Sequence, residues 1–599
     1  MLRNVTRSVL GVMLGFVCVS FMQTAALADS ARVGWIELSD ELRQGPVPFA
    51  WITEAEAGPS LSMVLGQMEY VAESDDHVGL TIYLDQPILT FAQAGAIRGG
   101  IAKVRQAGKT VLVFAETYDL LDLYLASAAD RVLLQTKGSA AFSGLAIEEM
   151  YLADTLSKIG VQADLIQIGK YKGADEQLVR SGPSEAWDEN IDDLLDGLYG
   201  HLIETVSEGR GMTFEDFEGK MVESMAMTDE EVLAAGFVDA VTDRSLYGPT
   251  EAAFGEKFEW DSDLGVEASA GMPDNPFALF SMLFEPQTPR TRRPTLAVIH
   301  AYGPITSGDS SLGDGIMSES TIGSATMERA LIDALEDENV KGVLLRLDSP
   351  GGSALASEMI WQAMREVGVD KPVFASVGSM AASGGYYLVC GAERVFVEPT
   401  SIVGSIGVVG GKLVMPGLYD WAGVSITRRT RGPGGDLFNS VEPFTVEQRD
   451  RVRRSMQVVY DQFRERIVIG RGDRLADLEA VDEGLLFTGT QAVTNGMADD
   501  LGGLDAALVA LADHVDLEEG EYDVIDLPLP LSLPEYLNEV FGVRGPQLSV
   551  TLPELSTVRN LLGEARWRQA ATLLIGMSQL RTEPVLLLHP SAMRVTAGH

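Results

Sequence analysis

Short, almost wholly apolar runs recur along this chain, separated by longer stretches in which apolar residues fall every three or four positions. Residues 77–84 form one such run, an amphipathic stretch follows at 91–107, and a second run occupies 110–114. The same series returns at 340–347, 354–367 and 373–377. Runs without polar alternation suit strands buried on both faces. Their alternation with helical stretches predicts βαβ units, and so an α/β fold of parallel strands covered by helices.

The two series are copies of each other. Residues 33–38 resemble 296–301, and Ala129-Asp130-Arg131-Val132 resembles Ala392-Glu393-Arg394-Val395, both at an offset of 263 residues. The same offset carries Gly160-Val161 onto Gly423-Val424 and Gly169 onto Gly432. Ala235-Gly236-Phe237-Val238-Asp239 meets Asn495-Gly496-Met497-Ala498-Asp499 at an offset of 260. A period this long marks a duplicated domain and not a solenoid. The expected division is residues 1–28 as a signal peptide or N-terminal anchor, 29–271 as the first repeat, and 272–294 as a proline-containing linker. The second repeat follows at 295–517, then a Leu/Pro-rich tail at 518–599 with a helical pattern around 561–580.

Composition narrows the setting. With 599 residues, 46% of them hydrophobic, the chain has material for more than one core. Its 45 basic and 87 acidic residues leave a net charge of −42, which disfavours nucleic acid or an anionic membrane surface as the main partner. Arg3 and Arg7 precede an apolar run at 9–22, and Ala26-Leu27-Ala28 then supplies small residues for a cleavage site, the pattern of an export signal. The run is shorter than the ~20 residues of a usual membrane span, and the pattern leaves cleavage and anchoring both open. Cys18 falls inside this signal, so Cys390 stands alone in the mature chain and reads as a buried small apolar residue.

The candidate chemistry centres on Ser379-Met380-Ala381-Ala382-Ser383-Gly384-Gly385, which follows the apolar run 373–377. A serine among small residues, with two glycines behind it, suits a strand-to-helix turn that leaves its hydroxyl uncrowded; Ser383 is the expected nucleophile. One strand earlier, residues 343–347 run into Asp348-Ser349-Pro350-Gly351-Gly352-Ser353. Gly352 and the amide of Gly384 are the expected oxyanion hole, while Ser353 also fits as a helix N-cap. No histidine lies between Tyr302 and His514, so the base is sought among lysines, whose amine becomes neutral when burial disfavours the ammonium form. In the first repeat, residues 164–169 lead into Lys170-Tyr171-Lys172-Gly173-Ala174. The second repeat has Pro433, Gly434 and Gly435 at that place, and the first repeat has Leu120 where the second has Ser383. Each copy holds half of a Ser-Lys pair.

These motifs, together with Gly404-Ser405-Ile406-Gly407, closely resemble the signal peptide peptidase A family in its long, duplicated protease IV form, across residues 30–515. The resemblance implies tandem Clp protease/crotonase-like α/β domains, a Ser-Lys dyad, and cleavage of remnant signal peptides at the membrane. By motif, Ser383 matches the nucleophile and Lys172 the general base, with Lys170 the lesser choice. Ser405 matches a hydroxyl that contacts the lysine. The resemblance also implies peptide substrates, a homo-oligomer of four chains, inner-membrane association on the periplasmic side, no nucleic acid, and neither metal nor cofactor. Two departures stand out: Gly173 replaces the usual Ser after the base, and Asp348 replaces the usual Asn. A crotonase-like acyl-CoA enzyme and a non-catalytic membrane-associated scaffold are the alternatives.

Overall fold

The computed structural model describes residues 30–43, 59–265, 293–311, 320–528, 585–588 and 596–597. The expected signal segment, the linker and the helix around 561–580 lie outside the described residues, apart from the two linker residues at 293–294. Among the described residues no helix is long and apolar enough to cross a membrane.

Two parallel sheets carry the architecture, and they have the same strand order. The first runs 240–242, 131–140, 110–118, 77–88, 31–41 and 258–261, every neighbouring pair parallel. The second places Asp500–Leu501, Arg394–Val397, Val373–Ala382, Val340–Ser349, Thr295–Tyr302 and Asp523–Leu527 in the corresponding positions, again all parallel. Residues 80–84 and 343–347 are buried without alternation, as strands covered on both faces require. Separate cores form on each sheet, one around Ile82, Val113 and Phe237, the other around Leu345, Val377 and Tyr387.

The duplication extends to single contacts. Asp239 accepts from the Val132 amide while binding Arg210 at 2.8 Å, and Asp499 accepts from the Val395 amide while binding Arg471 at 2.8 Å. Both arginines close 26-residue helices, Glu185–Arg210 and Val446–Arg471. The halves also meet directly: Ser379 and Thr90 hydroxyls lie 2.9 Å apart, and Lys103 pairs with Asp505 at 3.2 Å.

A third sheet crosses between the halves. Its order is 322–323, 305–306, 351–353, 585–588, 408–414 and 162–168. The first-repeat strand Gln162–Ile168 pairs antiparallel with Val408–Val414 of the second, from Val408 opposite Ile168 to Val414 opposite Gln162. The repeat-equivalent of 162–168 in the second half, residues 425–431, forms no strand. The duplication has therefore diverged at the element that leads into the lysine motif.

Candidate active site

The strand Val373–Ala382 runs through the small residues that the sequence had placed in a turn, and the chain turns only at Ser383. Ala381 and Ala382 are fully buried, which is why residues so small continue the strand. Ser383 has φ +53° and ψ −113° as it enters the helix Gly384–Val389. Such a backbone costs a non-glycine residue about 1–3 kcal/mol and is held by its neighbours. Here the Ser383 amide donates to the Gly404 carbonyl at 2.8 Å, and the Tyr387 amide donates to the Ser383 carbonyl at 2.9 Å.

Lys172 arrives from the other repeat. The strand Gln162–Ile168 ends beside Val408, and residues 169–172 then turn under the segment 483–485. The Tyr171 amide donates to the Glu483 carbonyl at 2.7 Å, and the Lys170 amide donates to the Glu483 carboxylate at 2.9 Å. Lys172 Nζ ends 2.6 Å from Ser383 Oγ, 2.7 Å from the Ser405 carbonyl oxygen and 3.1 Å from Ser405 Oγ. All three side chains are fully buried. Burial alone drives the Lys172 amine well below the ordinary lysine range, so the neutral form is favoured. Lys170 is exposed and donates instead to the Tyr171 hydroxyl at 2.9 Å. Among the described residues no histidine bonds Ser383.

The glycine turn lies where the sequence put it. A side chain on Gly384 would come within 3.2 Å of both Gly351 Cα and Gly352 N, so the two candidate oxyanion donors are neighbours. Gly352 has φ +153°, and a Cβ there would strike the Ile305 carbonyl at 2.1 Å. Ser353 caps the helix Ala354–Val367, accepting from the Ala356 amide at 3.1 Å.

Gly173 and Asp348 both have local roles. Gly173 has φ +53° and faces the buried Trp187 ring, which a Cβ would meet at 2.1 Å, so a serine has no room there. Asp348 accepts from the Ser379 amide at 3.0 Å and faces Arg346. Its burial raises the carboxyl, while amide donors and Arg346 act in the opposite direction. Gly407, which the sequence offered only as part of the Gly404–Gly407 motif, packs on the lysine: a Cβ there would lie 2.9 Å from Lys172 Cδ. Sequence reasoning missed the 483–485 brace, within which Gly484 has φ +92°.

Comparison with known proteins follows the same division. The sequence profile of peptidase family S49 matches residues 103–245 and 366–518. The chain belongs to peptidase family S49. The first matched region contains Lys172, and the second contains Ser383, Gly384 and Ser405. The chloroplastic serine protease SPPA of Arabidopsis thaliana is 27% identical over 513 residues, covering 84% of this chain and 72% of that one. Protease 4 of Haemophilus influenzae is 28% identical over 508 residues, 80% of this chain and 76% of its own. Protease 4 of Salmonella typhi is 28% identical over 460 residues, 74% and 70% respectively. This S49 member is a serine peptidase, a hydrolase of peptide bonds, with the S49 domain present twice. The acyl-CoA and scaffold alternatives find no support among these relatives.

Proposed function

We propose that the chain is a serine endopeptidase whose Ser-Lys dyad is split across the repeats. Neutral Lys172 takes the Ser383 proton as Oγ attacks a peptide carbonyl. The amides of Gly352 and Gly384 stabilise the tetrahedral oxyanion, and Lys172 returns the proton to the leaving amine. Water, deprotonated by the same amine, then hydrolyses the acyl-enzyme. Ser405 fixes the amine's direction through its carbonyl and hydroxyl. The observation that carries this reading is the 2.6 Å approach of a fully buried lysine to a fully buried serine on a strained strand-to-helix turn. Buried lysines without an anionic partner are costly, and they persist where the neutral amine has work to do.

The substrates in this reading are extended apolar peptides, remnants of signal peptides among them. Support comes from the export-type pattern of residues 1–28 and from the apolar residues beside the site, including Ile305, Val408 and Met380. The same pattern supports an exported enzyme at the periplasmic side of the inner membrane; a homotetramer that shelters the dyads from folded proteins completes the proposal and rests on the family resemblance alone. The test is to incubate the purified protein with a synthetic signal peptide and, separately, with a stably folded protein, following both by mass spectrometry. Cleavage within the apolar stretch of the peptide, absent in Ser383→Ala, with the folded protein left intact, is expected. Equal cleavage by Ser383→Ala, or none by wild type, would contradict the reading.

A further inference from the structure

The two oxyanion donors open different helices, and one carboxylate joins them. Gly352 precedes Ala354–Val367 and Gly384 begins Gly384–Val389, so any slip of one helix along the other changes the distance between the two amides. Glu358, one turn into the first helix, accepts from the Tyr387 hydroxyl of the second at 2.5 Å. Tyr387 also carries the amide that donates to the Ser383 carbonyl at 2.9 Å. The bond therefore runs from the oxyanion helix to the residue that closes the nucleophile turn. Ser357 adds a contact nearer the glycines: its hydroxyl donates to the Ser353 carbonyl at 2.8 Å, and a Cβ on Gly384 would lie 2.8 Å from it.

Other side chains hold the carboxylate in turn. Arg466, from the long helix Val446–Arg471, donates to both of its oxygens at 2.8 and 3.1 Å, and Gln362 donates to Oε1 at 2.6 Å. The Arg466 guanidinium lies over the Trp361 ring at 4.7 Å, and Phe463 of the same helix packs on the Tyr387 ring with centroids 4.8 Å apart. Burial would raise the Glu358 carboxyl, but the bonds from Arg466, Tyr387 and Gln362 outweigh it and hold it below the ordinary glutamate range. It is therefore ionised at neutral pH, where a charge-assisted bond to Tyr387 is stronger than a neutral one.

The first repeat has the same helices without this clamp. At the offset of 263, Gly95 stands for Glu358 and Tyr124 for Tyr387; at the offset of the long helices, 261, Thr205 stands for Arg466. The tyrosine remains, while the carboxylate and its arginine are gone. The vacated space is taken by the other repeat: a Cβ on Gly95 would lie 3.2 Å from Glu398 Oε2 and 3.5 Å from the Tyr124 hydroxyl. The half with Leu120 in place of the serine thus also lacks the clamp. The fold accommodates its absence, so the clamp answers a need that the fold alone does not have.

Resting on the Ser-Lys reading above, we propose that Glu358 is a positioning residue for the hydrolysis: through Tyr387 and Arg466 it fixes the Ser383 helix against the Gly352 helix, and so sets the spacing of the two amides that receive the oxyanion. Ser383 is held by its amide on the Gly404 carbonyl and Lys172 by the Ser405 carbonyl, so the dyad keeps its place without the clamp. The spacing of the amides does not. A displaced donor loses most where charge develops, in the transition state, and little in substrate binding.

The test compares Tyr387→Phe and Glu358→Gln with wild type on a leucine-rich fluorogenic peptide. It also measures inhibition by a peptide aldehyde of the same sequence, whose adduct on Ser383 places an oxygen at the two amides. Tyr387→Phe removes one hydroxyl only, so it decides the matter if Glu358→Gln does not fold. The folded variants are expected to lose about 10- to 100-fold in kcat with KM within about twofold, and to bind the aldehyde more weakly by a similar factor. The midpoint of the kcat/KM pH profile, set by Lys172, stays where it is in wild type. Tyr124→Phe, the same change in the first repeat, stays within about twofold of wild type on every measure. Wild-type kcat in folded Tyr387→Phe, whatever its melting temperature, overturns the proposal, and so does a loss of kcat with full aldehyde affinity or with a displaced pH midpoint. Each of these leaves the peptidase reading standing; an inactive wild type overturns both.

Discussion

Lys172 and Ser383 are separated by 211 residues and sit in different repeats, yet their side chains meet at 2.6 Å in full burial. The contact depends on one diverged element, the strand Gln162–Ile168, which leaves its own repeat to pair with Val408–Val414. Each half thereby lacks what the other supplies.

The first prediction concerns pH. Burial holds the Lys172 amine well below its usual range, so kcat/KM should rise with pH through a single ionisation below that of a free lysine. Stability carries the matching sign. Between the depressed folded value and the ordinary unfolded one, the unfolded chain binds the extra proton, so this site's contribution to stability grows as pH rises. Lys172→Met should melt higher than wild type at neutral pH, with the gap closing as pH approaches the free-lysine range. A gap that widens with pH would contradict a neutral buried amine.

Gly407→Ala should separate positioning from folding. Its new methyl lands 2.6 Å from the Ile168 carbonyl and 2.9 Å from Lys172 Cδ, so the lysine must move. A shift on the order of 1 Å at a reacting group costs about 100-fold in rate. The expected result is that loss in kcat with KM nearly unchanged and the pH profile displaced, because the amine's surroundings change.

Ser405→Ala should act more mildly. It removes the 3.1 Å hydroxyl contact and leaves the 2.7 Å carbonyl contact in place. One neutral hydrogen bond is worth about 1 kcal/mol, so steady-state kinetics should show roughly a five- to tenfold fall in kcat. Ser405→Thr, which keeps the hydroxyl, should recover part of it.

Much of this site was legible in the sequence. Ser383, the Gly351-Gly352 turn and Lys172 could be picked out because the two copies differ there while agreeing at Arg131 and Arg394. What could not be read was how the halves join. The pairing of 162–168 with 408–414, and of 585–588 with both 351–353 and 408–414, links segments far apart whose local patterns give no register. The extent of Val373–Ala382 was missed for another reason. Gly378, Ser379 and the two alanines have weak strand preference, and tertiary burial overrides it.

A separate prediction tests how the repeats are joined. Glu398 is buried where Gly95 of the first repeat approaches Gly503 of the second, and burial pushes its carboxyl up to about 7, with Arg346 opposing and Asp505 reinforcing the shift. The folded chain therefore keeps a proton there that the unfolded chain releases above the ordinary glutamate range. This site's stability contribution is present at low pH and falls as pH rises from about 4.5 toward 7. Glu398→Gln should match wild type near the low end and exceed it above pH 7, by on the order of 3 kcal/mol in denaturant melts.

The central claim is tested most directly by kcat/KM on a leucine-rich fluorogenic peptide for wild type, Ser383→Ala, Lys172→Ala and Lys170→Ala, each checked for folding by thermal melting. The account predicts that folded Ser383→Ala and Lys172→Ala lose at least about a thousandfold, while Lys170→Ala stays within about twofold of wild type. Full activity in Ser383→Ala, or a loss in Lys170→Ala as deep as that in Lys172→Ala, would contradict a dyad built across the repeats.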